Sequence, residues 1–256
     1  VPALAEPTSR EREDVAQSIF SQWQNNGVVS NTEDAEIWGP TGATPATSAN
    51  GMARGNAYSM LSYDASVDNW NNVTNTKSTV LFDQNGPKPF AIFVTGPFKN
   101  GAGNIGQGSA STTLTSRGKL WTGNYTTANL QGGKYYLIPI PYASVINFDQ
   151  MYANAGSSNI ENSYWFWDPK LSGTGGYVTF SNGVFTPSTG GLSANPSSGY
   201  IQSGQSFFVK ATQAGTGVLL IEENDKVAEG GYLTMGRPEP TTAHRELIRV
   251  NLYNTV

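Results

Sequence analysis

The sequence predicts an all-β protein built as two tandem β-sandwich, jelly-roll-like halves with one short helix in each. Three observations carry that expectation. Only 13% of the 256 residues are charged, while 29 are Gly and 14 are Pro, the composition of a chain with many turns. The apolar residues gather in short runs rich in aromatic and β-branched side chains, which suit strands. These runs recur in a similar order, which divides the chain into an extended arm over 1–12, a first half over 13–130 and a second half over 131–256.

In the arm, Pro2 and Pro7 disfavour helix. From Asp14 a short helix is expected, because Val15, Ile19, Phe20 and Trp23 recur at helical spacing and Gly27 stands where such a helix would stop. The Gly-, Ala-, Thr- and Pro-rich stretch 39–55 reads as a loop, and 57–63 as a strand closed by Asp64. A strand over 78–82 and a turn over 85–89 follow. The run 90–95, Phe-Ala-Ile-Phe-Val-Thr, is apolar on both faces and is expected as a central strand. After a Gly-rich loop over 96–108, the segments 111–115 and 118–125 read as outer strands around a hairpin.

The second half opens with a strand over 134–142, ended by prolines, and a short helix over 147–156 with its own glycine stop. Then comes Ser163-Tyr-Trp-Phe-Trp-Asp-Pro-Lys170, four rings in a row. Strand geometry sends Tyr164 and Phe166 to one face and Trp165 and Trp167 to the other. Both faces are apolar, so this is expected as a central strand buried on two sides and ended at Asp168-Pro169. Strands over 176–180, 206–211, 218–222 and 246–253 complete the half. The helix ends at Gly27 and Gly156, the aromatic strands 58–64 and 164–168, and the buried strands 90–94 and 205–209 align as repeats; strands this generic leave both duplication and chance likeness open.

Composition excludes several function classes. A net charge of -4 lacks the clustered Lys and Arg that neutralise nucleic-acid phosphates. No apolar run reaches the roughly 18 residues of a spanning helix, so no membrane insertion is expected. There is no cysteine, hence no disulfide, thiolate metal site or cysteine nucleophile. The single histidine, His244, sits in a polar segment beside two prolines and reads as a solvated loop residue, with no G-x-S-x-G elbow to make it a triad base. Gly101-Ala-Gly-Asn-Ile-Gly106 has the letters of a dinucleotide fingerprint, but a polar run follows it where a helix is needed.

A glycoside hydrolase would need two carboxylates, drawn from Asp64, Asp68, Asp149, Asp168, Glu222, Glu223 and Asp225. Asp64 and Asp168 read instead as strand-end residues that bond turn backbone. No cofactor is expected, except that calcium is a candidate near Glu222, Glu223 and Asp225, where acids cluster without EF-hand spacing. The remaining candidates are aromatic. A row of exposed rings on a sandwich would bind sugar faces; packing is the alternative for each ring. Trp38, Trp70 and Trp121 lie near loops and are the ligand-facing candidates, ahead of Trp165 and Trp167.

The runs 141–154, 164–173, 176–180, 201–211 and 249–253 resemble the β-rich module of large secreted surface proteins of Bacteroidota, which commonly stands upstream of a type IX secretion sorting domain. The likeness is firmest over 134–253 and looser over 57–126. It departs at Ile138-Pro-Ile-Pro-Tyr142, where such proteins carry a Gly-Asn-Pro-Tyr-like run, and no sorting domain is present, so the chain is expected to be a processed portion of a longer protein. The resemblance implies extracellular, cell-surface export and adhesion, with no catalytic residue to carry over. The combined expectation is a non-enzymatic surface protein, an adhesin or a structural subunit of a filament. Its partners would be other copies of itself or other surface proteins, and glycans under the alternative carbohydrate-binding reading. Self-association is expected through the terminal segments, with Val1, Pro2, Leu4, Leu247, Val250 and Leu252 supplying an added strand.

Overall fold

The computed structural model of the chain describes residues 17–24, 35–42, 49–83, 85–93, 114, 116, 120–168, 171, 175–186 and 199–227. The class is all-β: short strands, almost all antiparallel, with two short α-helices among the described residues. None of the described helices is long and apolar enough to cross a membrane.

The first strand, β1 (Gln17–Ser18), runs into α1 (Ile19–Gln22), where the Ser18 hydroxyl accepts the Ser21 N–H at 3.1 Å as an N-cap. Next come β2 (Trp38–Gly39) and β3 (Ala53–Arg54), which pair in parallel. A hairpin follows from β4 (Met60–Asp64) and β5 (Asn69–Asn72). Its turn is set by Asp64, whose carboxylate accepts the Ser66 N–H at 2.8 Å and the Ser66 hydroxyl at 2.6 Å, as expected of a strand-end acid. Then β6 (Val80–Asp83) pairs with both β1 and β7 (Gly86–Pro87).

The run expected as a buried central strand is corrected at this point. Its strand portion is the two-residue β8 (Ala91–Ile92), an edge strand bonded only to β4 in its three-stranded sheet. Phe90 and Ile92 pack against the core of Ile19, Ile37, Met52 and Met60, while Phe93 is 62% exposed. An all-apolar run fits two buried faces, but here Phe90 and Ile92 turn to the core while Phe93 turns to solvent.

The chain continues with β9 (Tyr125–Leu130) and β10 (Tyr135–Pro139). The expected outer strand over 118–125 starts only at Tyr125 among the described residues. After β11 (Ile146–Asn147), Asn147 caps α2 (Phe148–Ala153) by accepting the Asp149 N–H at 2.9 Å, and the helix buries Phe148 and Met151. There follow β12 (Ile160–Asp168), β13 (Gly176–Ser181), β14 (Val184–Thr186), β15 (Tyr200–Ile201), β16 (Ser206–Ala211) and β17 (Gly217–Ile221). Five of them form the main sheet in the order β10-β16-β12-β13-β14, and β17 pairs separately with β9.

The inner face of the main sheet carries the larger core. Tyr164, Phe166, Val178, Phe180, Phe207 and Val209 are all buried there, alternating with outward residues at the two-residue period of the pleat. The α2 helix closes over this face, and the Phe148 ring lies 4.8 Å from Tyr164, 6.1 Å from Phe180 and 6.5 Å from Phe207. Each such aromatic side chain stabilises the fold by roughly 1.5–3 kcal/mol through burial. The short helix is therefore held by packing, because six residues are too few to be helical alone.

The aromatic strand is thus central, as expected, but it is not buried on two sides. Trp165 is half-buried and Trp167 is 48% exposed. At that end of the strand the outer face is partly open among the described residues.

Candidate functional site

The outer face of the main sheet is assembled by register. Trp165 stands between Phe208 and Thr179, Trp167 opposite Tyr177, and Ser163 opposite Ser181. Trp167 and Tyr177 form an edge-to-face pair with centroids 5.1 Å apart, and Tyr177 is 44% exposed. A second pair, Tyr135 with Trp165, also has centroids 5.1 Å apart, and Tyr135 is 36% exposed. Hydroxyls border the rings at one end of the two strands: the Ser163 hydroxyl donates to the Ser181 hydroxyl at 2.8 Å, and Thr179 faces Thr186 across the next ladder. One rim is charged, because the Lys210 ammonium pairs with Glu161 at 2.8 Å while standing 5.7 Å from the centre of the Tyr135 ring. Hydrogen bonding to Glu161, and its charge, hold the Lys210 pKa above the usual lysine value.

The β4–β5 hairpin docks on one side of this face. Phe208 takes the Tyr63 ring at 4.9 Å, Trp70 at 5.8 Å and Tyr177 at 5.9 Å. Burial raises the Tyr177 pKa, and the Trp70 indole N–H bonded to its oxygen pulls the other way. The Tyr63 hydroxyl donates to Asp68. Burial first, and then that bond and the Asp68 charge, raise the Tyr63 pKa far above the tyrosine range.

Chemically, the face offers flat apolar rings beside hydroxyls and an ion pair. Such a surface stacks on apolar C–H faces of a ligand and hydrogen-bonds its hydroxyls. No described pair on it has the nucleophile-and-base arrangement of covalent catalysis.

The ligand-facing residues named from the sequence are placed differently. Trp38 is half-buried over Gly55, where an added Cβ would meet its ring at 2.3 Å. Trp121 is half-buried between Phe82 at 5.8 Å and Tyr125 at 5.9 Å, joining the two parts of the chain. The indole N–H groups of both are buried with no hydrogen-bond partner among the described residues. Trp70 is half-buried at the hairpin joint. The expected order of exposure is therefore reversed, since Trp167 is the one tryptophan among the described residues with a largely exposed ring. Nearness to a loop does not expose a ring when the loop folds back over it.

The Trp167–Tyr177 pair was missed because four adjacent rings suggest two buried faces. A signal did exist in the neighbouring strand: Tyr177, Thr179 and Ser181 alternate with Val178 and Phe180, which is the pattern of one wet and one dry face.

The acidic turn is occupied by the fold itself. Glu223–Asp225 is a 3-10 turn in which buried Asp225 accepts the Glu222 N–H at 2.7 Å and the Asn154 amide at 2.9 Å. Glu222 accepts from the Asn124 amide at 3.1 Å, and Glu223 accepts the Gly123 N–H at 2.8 Å and pairs with Lys226. Among the described residues no three His, Cys, Asp or Glu side chains converge as metal ligands. Nearby, the buried Tyr142 hydroxyl bonds the Gly123 carbonyl at 2.7 Å. Burial first, then the charges of Glu223, Asp225 and Glu222, push its pKa up to about 12.

His244, the Gly101 to Gly106 run, and the assembly residues Val1, Pro2, Leu4, Leu247, Val250 and Leu252 lie outside the described residues. No protein-family model, curated protein or solved structure matches the chain.

Proposed function

We propose that the chain is a non-catalytic carbohydrate-binding protein that acts in adhesion at a bacterial surface. The observation that carries this reading is the exposed Trp167–Tyr177 pair on an outer sheet face that also presents Ser163, Thr179 and Ser181. Along the same two strands the rings at the Trp167 and Tyr177 end give way to the hydroxyls of Thr179, Ser163 and Ser181, which suits a ligand that presents C–H faces beside hydroxyl edges. Extracellular placement follows from the resemblance to secreted Bacteroidota surface modules, and the adhesive role from the ligand class.

The test is a glycan array and immobilised plant and bacterial polysaccharides, probed with the whole chain and with the double substitution Trp167→Ala, Tyr177→Ala. Retention of at least one polysaccharide by the native chain, and its loss by the folded double variant, is the expected result. Equal retention by both would overturn the assignment of the face, and no retention on any glycan would overturn the carbohydrate reading.

A further inference from the structure

A second feature lies where the hairpin meets the β9–β10 corner. An open cleft of about 760 Å³ is lined by Ser62, Ser66 and Asn71 from the hairpin, and by Asn129, Gln131 and Tyr136 from the β9–β10 corner. That volume falls within the range of small-ligand sites, roughly 300–1,000 Å³. Most such sites are mainly apolar; this one is walled by amides and hydroxyls.

Two structural details prepare it. The Tyr136 oxygen accepts the Gln131 N–H at 2.5 Å, which holds the ring in place and leaves the phenolic proton to be donated elsewhere. Lys134 reaches across to bond the Ser66 carbonyl at 2.5 Å, tying the second half to the hairpin turn. The Asn71 and Asn129 side chains are exposed. Each amide offers one acceptor and two donor hydrogens, a set that matches a pair of adjacent hydroxyls.

The charge balance narrows the ligand. Asp64 is the one acid among the described residues that line the cleft, with Lys134 close enough for its charge to act on it. The Ser66 hydroxyl and N–H, with that charge, hold Asp64 below the ordinary carboxylate range, so it stays an ionised acceptor. One negative and one positive group leave no net charge to attract an ion, and favour a neutral ligand with many hydroxyls.

We infer that this cleft is a second saccharide subsite, which takes one neutral sugar unit through the Asn71, Asn129 and Gln131 amides and the Asp64 carboxylate. This rests on the carbohydrate reading of the outer face, and the two regions meet at Tyr63, which lines the cleft and packs on Phe208. A glycan lying on the rings is then gripped at one end by the cleft.

The experiment is an amide NMR titration of the isotope-labelled whole chain with glucose, galactose, mannose and N-acetylglucosamine. Glucuronate and glucosamine serve as charged probes, and glycerol as a simple polyol. At least one neutral sugar is expected to shift amides of residues 62–66, 71 and 129–131. The response should persist in the Trp167→Ala, Tyr177→Ala variant and weaken about tenfold in Asn71→Ala, for loss of a hydrogen-bonding amide. Asn71 is exposed, so its replacement is not expected to unfold the chain. Silence of these amides, shifts matched by glycerol, or tighter binding of a charged sugar would each overturn the subsite. If the double variant loses polysaccharide while the cleft stays silent, the cleft alone fails; if the cleft responds and polysaccharide binding survives the double variant, the face alone fails.

Discussion

Phe208→Ala tests whether the hairpin is held to the sheet by one ring. Phe208 points outward from β16, yet is only 8% exposed, because Tyr63, Trp70 and Tyr177 all pack on it edge-to-face. Truncating a buried phenylalanine costs about 3–5 kcal/mol. The surroundings here are partly wet and free to collapse, which places the expected loss near the lower bound, about 3 kcal/mol. Phe207→Ala, one residue earlier, empties the inner core beneath Phe148 instead and is expected to cost about 3–5 kcal/mol. Urea unfolding gives the totals, and native-state hydrogen exchange separates the two variants. In Phe208→Ala the amides of β4 and β5 should exchange faster while β12 and β13 keep their protection; in Phe207→Ala the amides of α2, β12 and β16 should lose protection together. A loss below about 1 kcal/mol for Phe208→Ala, or an exchange pattern identical to that of Phe207→Ala, would refute the claim that this ring is the joint.

The tyrosines provide a pH signature. Burial is the largest cause of raised pKa values at Tyr63, Tyr125, Tyr142, Tyr164 and Tyr177. A folded-state pKa above the unfolded value means that the folded chain holds the proton more tightly. The stability this confers is complete below the ordinary pKa of about 10 and is lost as pH rises toward the folded value, about 12 for Tyr142. Tyrosinate absorbance should therefore rise in two steps, the later one coinciding with loss of circular dichroism; a single step near pH 10 for all 12 tyrosines, with the fold intact, would contradict this burial. At the β13–β14 hairpin, Asn182 (φ 49°) and Gly183 (φ 80°) both adopt left-handed backbone, as a two-residue primed turn requires. An added Cβ at Gly183 meets nothing within 4 Å, so Gly183→Ala isolates the conformational cost, expected at about 1 kcal/mol; an unchanged thermal midpoint would show that the turn relaxes.

What the sequence revealed and what it concealed divide along physical lines. Strand periodicity and turn residues are local, so the all-β class, the α2 helix at its Asn147 cap and the central position of Ile160–Asp168 in the main sheet could all be read from the chain. Exposure is not local. Phe93 and Trp167 sit in runs as apolar as any core segment, yet they are 62% and 48% exposed, which depends on how distant elements pack and not on the run itself. The reverse error arose at Trp38 and Trp121, whose loop positions suggested exposure although Gly55 and the rings of Phe82 and Tyr125 close around them. In the acidic turn, Glu222, Glu223 and Asp225 have the composition of a cation site, and one oxygen of Glu222, one of Asp225 and both of Glu223 accept from nearby N–H, amide and ammonium donors.

The outer face also shows which of its residues the fold needs. Ser163, Thr179 and Ser181 occupy the same face as Trp167 and Tyr177, on the same two strands, with the same ladder bonds. Hydroxyl side chains are therefore compatible with this sheet at neighbouring positions, and β-propensity would be served as well by threonine as by tryptophan. Trp167 pairs edge-to-face with Tyr177, which also packs on Phe208, and an added Cβ at Gly175 would meet the Trp167 ring at 2.5 Å. Each edge-to-face pair adds about 0.5–1.5 kcal/mol, while the exposed part of both rings is an apolar surface that favours unwanted association. The inner rings, Tyr164, Phe166 and Phe180, account for the packing without them. What remains to be explained at Trp167 and Tyr177 is why nearly half of each large ring stands in solvent, and the ligand proposed above, stacked on them, would account for that exposed part.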